Sequence, residues 1–276
     1  MNENFIELNG EEKGATSVVL VGVHGDEKCG IDAMEKILPT LKIKKGCVLI
    51  GYGNPKAIEQ NVRFTEANLN RMFKLDSYIS EDEKNSYEFE RAQFIKKYLN
   101  QSDALLDVHA SSSPTSKSFL ICEANAKDIV KYLPFDLAVS GFDEFEPGGT
   151  DYYMNSIGKI GICVECGYLG SPTSTQTAEQ SILAFLAVQG HIEKDLKIYK
   201  QPLVKIYDLY ETKTDNFLLA KEFEDFEKVS KNQIIGIDGD DKIITPSDGV
   251  ILFAKNRNKI GDEAFLLGEY KKDLSC

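Results

Sequence analysis

The stretch TSVVLVGVHGDEKCG, residues 16–30, decides the fold. Its first part, residues 16–23, is an unbroken apolar run, which is typical of a strand buried on both faces. Residues 28–38 carry apolar side chains at helical spacing and end before Pro39, so they predict a helix. Between the two lies His24, one of only three histidines in the 276-residue chain. The pattern predicts a strand–turn–helix unit with polar, potentially functional side chains at the turn.

Strands and helices continue to alternate up to about residue 195. This alternation predicts an α/β fold with a mixed, mostly parallel sheet flanked by helices. The further predicted strands are 46–53, 104–110, 116–124, 136–141 and 160–167, and the further predicted helices are 86–102 and 175–194.

The sequence changes character after about residue 198. Short β-rich segments follow one another there, separated by turn sequences such as DG, PSDG and NRN. No helical pattern remains in this part of the sequence. We therefore expect an α/β domain over residues 1–197 and a small β-rich domain over residues 198–276.

Composition argues against several classes of protein. The formal net charge of −12 argues against nucleic acid or an anionic membrane as a partner, because both are bound by basic surfaces. The sequence lacks an apolar run of about 18 residues, so we expect no transmembrane helix, and its first residues lack the pattern of a secretory signal. Six scattered cysteines show no disulfide framework, which favours free thiols and a cytoplasmic location.

Polar side chains follow the apolar runs of three predicted strands. His24 and Glu27 follow the first run, His109 follows the run ALLDV, and Glu165 follows the run IGICV. Active sites of open α/β sheets lie beyond the carboxyl ends of the strands. Two of the three histidines and two carboxylates are therefore expected to meet at one edge of the sheet.

Two imidazoles and one carboxylate match the ligand set of a catalytic zinc, which leaves a fourth position for water. We expect one Zn²⁺ per chain, bound by His24, Glu27 and His109. Zinc lowers the pKa of bound water to about 7. Glu165, the carboxylate that is not used as a metal ligand, is then expected to act as the general base. Taken singly, each residue has a simpler explanation, as a loop histidine or a structural carboxylate. Their recurrence at strand ends favours the metal site.

A second informative stretch is NVRFTEANLNRMF, residues 61–73. It places Arg63 and Arg71 in an otherwise acidic chain, and the planar fork of arginine suits a carboxylate. The two arginines predict a locally positive pocket for a carboxylate substrate. The residues alone leave open the alternative, a surface loop with ordinary ion pairs.

Five short motifs, in order along the chain, resemble the succinylglutamate desuccinylase/aspartoacylase family, which is related in fold to the zinc carboxypeptidases. The resemblance spans roughly residues 17–195, and the β-rich tail is similar to the small C-terminal domain of that family. The motifs are HGDE (24–27), GNPKA (53–57), Arg63 with NLNRMF (68–73), DVHAS (107–111) and VECG (164–167).

The resemblance implies a role for each matching residue. The implied zinc ligands and general base are the four residues assigned above, and Glu165 would also pass the proton to the leaving amine. Arg63 would polarise the scissile carbonyl and stabilise the developing oxyanion. Asn70 and Arg71 would hold a carboxylate of the substrate.

The chain departs from the aspartoacylase pattern at one position. In aspartoacylase an arginine about ten residues before the general base binds the acidic side chain of the acyl amino acid, and here that position falls near Asn155. The sequence has no arginine between His109 and Glu165. Lys117 and Lys159 are candidates to replace it, and the acyl group and the amine half of the substrate are left open.

These observations predict a zinc-dependent hydrolase that cleaves the amide bond of an N-acyl amino acid or a similar small acylated amine by metal-activated water. The near alternative is a zinc carboxypeptidase acting on a short peptide, which needs an open groove rather than a closed pocket. An alternative of another class is a non-catalytic protein of the same fold that binds a small carboxylate. The oligomeric state is left open, with a homo-oligomer as one expectation.

Two further features are predicted to be structural. His191 lies near the C-terminus of the last predicted helix and is expected on the surface. Cys163 and Cys166 flank Glu165, but the period of a strand places Cys163 and Glu165 on one face and Cys166 on the other. The two cysteines are therefore expected to pack in the protein rather than share a metal or form a disulfide.

Overall fold

The computed structural model describes residues 3–272, and fourteen strands and eight α-helices lie within that range. The strands are β1 (Ile6–Asn9), β2 (Glu12–Val21), β3 (Lys45–Tyr52), β4 (Ala104–Ser111), β5 (Phe119–Cys122), β6 (Ala138–Ser140), β7 (Ile160–Tyr168), β8 (Leu203–Glu211), β9 (Phe217–Leu219), β10 (Glu227–Val229), β11 (Ile234–Asp238), β12 (Asp241–Ile244), β13 (Gly249–Leu252) and β14 (Glu263–Lys271). The helices are α1 (Cys29–Ile37), α2 (Pro55–Gln60), α3 (Glu81–Lys84), α4 (Tyr87–Leu99), α5 (Lys127–Val130), α6 (Phe142–Phe145), α7 (Thr150–Ser156) and α8 (Pro172–Val188).

One mixed sheet organises the molecule, with the strand order β1-β3-β2-β4-β7-β5-β6-β8-β14-β13-β10. Its centre, β3-β2-β4-β7, is parallel. Alternate residues of β2 face opposite layers: Val19 and Val21 pack in the core that includes α1 and α8, whereas Val18 and Leu20 pack in the core that includes α4. The predicted α/β fold with helices on both faces of a mixed sheet is therefore confirmed.

The strands after residue 198 extend the same sheet. Strand β8 pairs in parallel with β6, where Val204 lies opposite Val139, and β14, β13 and β10 continue outward as antiparallel neighbours. A separate three-stranded sheet, β12-β11-β9, completes this part. The main sheet thus runs across position 197, and the division of the chain into two domains there stays a prediction.

The predicted elements before residue 195 are present with shifted ends. The segment 116–124 shortens to β5, and the last helix begins at Pro172 and ends at Val188 instead of spanning 175–194. Within residues 3–272 no helix is both long and apolar enough to cross a membrane. The five cysteines in that range are free, and Cys276 lies outside the described residues.

The prediction that His191 lies on the surface is wrong. Its side chain is fully buried and joins the end of the α8 segment to two strands. Its Nε2 lies 2.8 Å from the hydroxyl oxygen of Ser17, and its Nδ1 lies 2.8 Å from the carbonyl oxygen of Lys45. Burial lowers the pKa of His191, so the neutral ring donates from Nδ1 to the carbonyl and accepts the Ser17 hydroxyl at Nε2.

Replacement of His191 by alanine is expected to lower the free energy of unfolding by about 2–3 kcal/mol, because two buried polar groups lose their partner. Urea denaturation at pH 7.5 measures this loss. The folded pKa lies below the unfolded one, so the wild-type advantage is present above about pH 6.5 and shrinks as the pH falls further. Ser17→Ala, which removes only one of the two contacts, should cost less, and an unchanged midpoint in His191→Ala would contradict the assignment.

Candidate active site

Three buried side chains meet where β2 and β4 end. Nδ1 of His24 lies 2.8 Å from one carboxylate oxygen of Glu27, and Nδ1 of His109 lies 2.9 Å from the other. One ligand atom from each residue can be chosen so that all three lie within 4.8 Å of one another. The structure therefore brings together the three residues that the sequence predicted as metal ligands.

The second ring nitrogen of each histidine faces a side-chain oxygen. Nε2 of His24 lies 3.1 Å from the amide oxygen of Asn68, and Nε2 of His109 lies 3.3 Å from Oδ2 of Asp107. Partners of this kind fix the ring orientation and the tautomer of metal-binding histidines. The sequence analysis assigned no role to Asn68 or Asp107. The position of Asp107 was a usable signal, because a residue two before His109 on a strand shares its face.

The three side chains fit a metal ion by their chemistry and burial. Although burial favours a neutral carboxyl, the two adjacent imidazoles hold the pKa of Glu27 well below its usual range. Asp107 and Glu27 outweigh the effect of burial on His109 and raise the pKa of that ring well above its usual value. Two imidazoles and one buried carboxylate form a typical N, N, O set for a divalent cation such as zinc.

Two glycines shape the turn that carries His24 and Glu27. Gly22 has a φ of +66°, a left-handed conformation that favours glycine, and it ends β2. A Cβ on Gly25 would lie only 2.1 Å from the carbonyl carbon of Ala57. Gly22 therefore provides the left-handed residue of the turn, and Gly25 permits the close approach of α2.

A buried carboxylate from α4 fixes the loop that carries Arg63 and Asn68. Glu88 is fully buried and accepts hydrogen bonds from the backbone N–H groups of Thr65 at 2.7 Å and Ala67 at 3.1 Å. Although burial opposes ionisation, hydrogen bonds from the loop lower the pKa of Glu88. The ionised carboxylate therefore holds the loop against the site.

Arg63 reaches from this loop to the three-ligand group. Its Nη1 donates to Oε1 of Glu27 at 3.0 Å, while about half of its side chain stays exposed. The guanidinium thus stands beside the candidate metal ligands and remains open to the space in front of them.

Glu165 lies on β7, opposite His109 on β4. Burial and the nearby charge of Glu27 raise the pKa of Glu165 to about 8. Its Oε2 is buried and has no hydrogen-bond partner among residues 3–272. Cys163 lines the same cavity as Glu165, whereas Cys166 packs in the core with α1 and α8, as the strand period predicts.

A cavity of about 750 Å³ opens in front of these groups. All seven residues that the sequence singled out line it: His24, Glu27, Arg63, Asn70, Arg71, His109 and Glu165. The far wall comes from the C-terminal strands and their loops, through Leu209, Phe253, Lys255, Arg257, Glu263 and Phe265. The candidate site is therefore a cavity between the parallel centre of the sheet and its C-terminal extension.

Arg71 connects the two sides of this cavity. Its Nη2 donates to Oε2 of Glu146 at 2.5 Å and to Oε2 of Glu263, on β14, at 3.0 Å. The arginine expected to hold a substrate carboxylate therefore already contacts two carboxylates of the protein. Asn70 also lines the cavity, and its Oδ1 is buried without a hydrogen-bond partner in the described part of the chain.

The residues considered for the missing arginine lie away from the cavity. The amide of Asn155 donates to Asp143 at 2.9 Å and accepts from the backbone N–H of Gly161 at 3.1 Å. Lys159 donates to two backbone carbonyl oxygens at the end of α4. Neither Lys159 nor Lys117 lines the cavity.

Two carboxylates missed by the sequence analysis do line the cavity near that position. Asp143 and Asp151 stand on α6 and at the start of α7. Burial, followed by repulsion from Asp143 and Asp107, raises the pKa of Asp151 to about 7. Tyr152 lines the cavity beside them. The sequence does not show whether the acidic side chains of a short segment face a cavity or solvent, so only the structure reveals these two.

Comparison with known proteins identifies the family. A family model described as the succinylglutamate desuccinylase/aspartoacylase catalytic domain matches residues 13–192. The chain belongs to this family. The predicted resemblance is thus confirmed over the part of the chain that carries the candidate metal ligands and Glu165.

Three relatives show that different activities are named within this family. The probable aspartoacylase of Trichodesmium erythraeum is 24% identical over 262 residues, covering 82% of this chain and 85% of that protein. The N-alpha-acetyl-L-2,4-diaminobutyric acid deacetylase of Halomonas elongata is 26% identical over 209 residues, covering 70% of this chain and 60% of that protein. The succinylglutamate desuccinylase structure from Vibrio parahaemolyticus shares the fold, with a TM-score of 0.80 at 17% identity over 98% of this chain and 86% of that one.

Asp107→Asn is expected to weaken metal binding about 10- to 100-fold, because the neutral amide no longer supports the His109 ring. The substitution keeps an oxygen that can accept the 2.5 Å hydrogen bond from Thr150. Competition with a chromogenic chelator, using zinc as the probe ion, measures the change. Asp128→Asn, at an exposed position, is the control, and an equal affinity in Asp107→Asn would show that Asp107 does not support the metal site.

Proposed function

We propose that this protein is a zinc-dependent hydrolase that cleaves the amide bond of an N-acyl amino acid or a similar small acylated amine. One observation carries the proposal: a buried His–Glu–His group and Glu165, whose Oε2 has no hydrogen-bond partner among the described residues, face one cavity. Membership of the family supports the reaction class, since its relatives include deacylases and amidohydrolases.

His24, Glu27 and His109 would hold the zinc ion. When bound, the ion supplies a Lewis acid, which lowers the pKa of water to about 7 and polarises a carbonyl. Asn68 is hydrogen-bonded to Nε2 of His24, and Asp107 lies within ion-pair distance of Nε2 of His109, so each ring has a side-chain oxygen behind it while its Nδ1 points toward Glu27.

The roles of the remaining residues follow from their positions. Glu165 in its ionised form takes a proton from the attacking water and then delivers it to the nitrogen of the leaving amine, and the raised pKa of this carboxyl favours the protonated form that the second step uses. Arg63 stabilises the charge that develops on the acyl oxygen. Asn70 offers to a donor on the substrate an amide oxygen that has no hydrogen-bond partner among the described residues. Arg71 would hold a substrate carboxylate beside Glu146 and Glu263, which it already contacts.

The wall that the C-terminal strands contribute to the cavity favours a deacylase over a carboxypeptidase. Residues from the C-terminal strands stand opposite the candidate metal ligands, and Arg71 joins the two sides through Glu146 and Glu263. A carboxypeptidase would need an open groove to admit the preceding residues of a peptide. A space of about 750 Å³ accommodates a small molecule instead.

The non-catalytic alternative has less support. A protein that only bound a carboxylate would need its arginines free, yet Arg63 contacts Glu27 and Arg71 contacts two carboxylates. It would also have no use for Glu165, whose Oε2 is buried beside the strand of His109 without a hydrogen-bond partner among residues 3–272. Location in the cytoplasm and assembly into a homo-oligomer stay predictions.

Glu165→Gln is expected to keep about one zinc per chain and to lose hydrolysis by about 10²- to 10⁴-fold, because the amide cannot accept the proton. Metal analysis of the purified protein and single-turnover assays measure the two properties separately. Cys163→Ser, on the same face of β7, is the control and should retain most of the rate. A Glu165→Gln protein with the wild-type rate would remove Glu165 from the mechanism.

A substrate panel distinguishes the candidate functions. N-acetyl and N-succinyl amino acids should be hydrolysed with a kcat/KM at least about tenfold above that for tri- and tetrapeptides, because residues of the C-terminal strands stand opposite the candidate metal ligands and limit the length of the substrate. Mass spectrometry of the products provides the measurement. Preferred release of C-terminal residues from peptides would favour the carboxypeptidase. Binding without hydrolysis of any member, in a chain purified without zinc, would favour the non-catalytic protein.

A further inference from the structure

One apolar face of the cavity wall has no role in the reaction proposed above. Six apolar side chains line the cavity and belong to, or pack against, one hydrophobic cluster: Ile121, Phe142, Cys163, Leu209, Phe253 and Leu266. Because they share one cluster, they form a single surface rather than isolated positions. Ile121 and Phe142 each keep 7% of their surface exposed, whereas Phe119 and Val139 of the same cluster are fully buried. The apolar face therefore opens into the cavity.

The apolar face begins beside the group that acts on the amide bond. Cys163 lies two residues before Glu165 and on the same side of β7, and Ile121 on β5 is the register partner of Cys163. Two residues of a strand span about 7 Å. A substituent of the scissile carbonyl therefore needs only a few carbons to reach the apolar face from Glu165.

Phe253 is held in this face by an unusual backbone conformation. Its φ of +53° is left-handed, which is rare for a bulky residue. Its backbone N–H donates to Oδ1 of Asp225 at 2.8 Å, and its ring centroid lies 6.0 Å from that of Phe119 and 6.3 Å from that of Phe142. Residues with strained backbones persist where surrounding contacts hold them, and they cluster at ligand-binding sites. The conformation of Phe253 thus indicates a ring that is positioned for a ligand.

The rest of the wall carries charged groups of both signs. Its carboxylates are Glu27, Glu83, Asp143, Glu146, Asp151, Glu165, Asp262 and Glu263, and its lysines and arginines are Arg63, Arg71, Lys255 and Arg257. The amine half of an N-acyl amino acid ends in a carboxylate, which is costly to bury on an apolar surface and belongs among these polar groups. The acyl chain is the part of the substrate that is left for the apolar face.

We propose that the acyl group of the substrate is a short, uncharged aliphatic chain, longer than acetyl, which packs on the apolar face. Ile121, Leu209 and Phe253 are then specificity-determining residues, whereas Glu165 and the metal ligands act on the amide bond. This inference rests on the proposed hydrolysis and specifies the acyl half of its substrate. Water adds across the amide bond, so the products are a short fatty acid and a free amino acid.

The first test lengthens the acyl chain on a fixed amine half. N-acetyl, N-butanoyl and N-pentanoyl derivatives of L-alanine and of L-glutamate are assayed with the zinc-loaded wild type. On the better amine half, kcat/KM should rise about fourfold for each methylene that leaves water, so that N-pentanoyl exceeds N-acetyl by at least about tenfold. N-acetyl-L-norvaline and N-acetyl-L-norleucine carry their extra methylenes in the amine half, and should show no such rise over N-acetyl-L-alanine.

Polar substitutions on the apolar face assign the preference to its residues. Leu209→Asn and Ile121→Thr should each lower the ratio of N-pentanoyl to N-acetyl hydrolysis at least about threefold, by weakening the longer compound alone. Either variant keeps the test valid if the other fails to fold. Leu219→Asn and Ile243→Thr, at partly buried positions outside the cavity, are the matched controls and should keep the full ratio.

Calorimetric titration of the zinc-loaded Glu165→Gln protein separates this inference from the proposed reaction, because binding is measured there without turnover. Tighter binding of N-pentanoyl than of N-acetyl compounds, lost in Glu165→Gln/Leu209→Asn, supports the inference even if the wild type hydrolyses none of them. Absent or chain-length-independent binding would overturn it, as would a rise confined to the norvaline and norleucine compounds, even if all compounds are hydrolysed.

A charged acyl chain provides the last comparison. N-succinyl-L-alanine should have a lower kcat/KM than N-pentanoyl-L-alanine, because its terminal carboxylate would lie on an apolar surface. The opposite order would overturn the inference, since a cation such as Lys255, two residues after Phe253, would then bind the end of the acyl chain.

Discussion

The carboxylate of Glu27 is the contact on which the site depends. One oxygen meets His24 and Arg63, and the other meets His109 and the backbone N–H of Ala110. A buried charge is stable only when such partners surround it. The turn after β2, the end of β4 and the loop that carries Arg63 must therefore hold their relative positions. The three segments are far apart in sequence, and the parallel sheet brings them together at one edge.

A second buried carboxylate, Glu88, stabilises the surroundings of Glu27. Glu88 accepts hydrogen bonds from the loop that carries Arg63 and Asn68, so α4 holds this loop in place although α4 itself does not line the cavity. Asp107 does the same beneath His109 and also accepts a hydrogen bond from Thr150 at the start of α7. Glu88 and Asp107 are thus bound by neutral donors and an imidazole, whereas Glu27 also receives the guanidinium of Arg63, and both Arg63 and Lys255 line the cavity.

The sequence allowed the fold and the centre of the site to be predicted, because both depend on local patterns. Apolar runs mark the buried strands, and strand ends of a parallel sheet meet at one edge, so His24, Glu27, His109 and Glu165 could be placed together. The supporting residues depend on tertiary contacts that no local pattern encodes. His191 illustrates this, since its burial requires Ser17 and Lys45 from two other elements. The pairing of β8 with β6 likewise joins segments that the change in composition had separated.

The two sides of the cavity belong to different segments. The candidate metal ligands stand on β4 and the turn after β2, whereas Asp143 and Asp151 stand on α6 and α7, two short helices between β6 and β7. Thr150 connects α7 to the ligands, because its hydroxyl donates to Asp107 behind His109. Residues 142–156 therefore contribute no candidate metal ligand of their own, yet a substitution at Thr150 would reach His109 through Asp107.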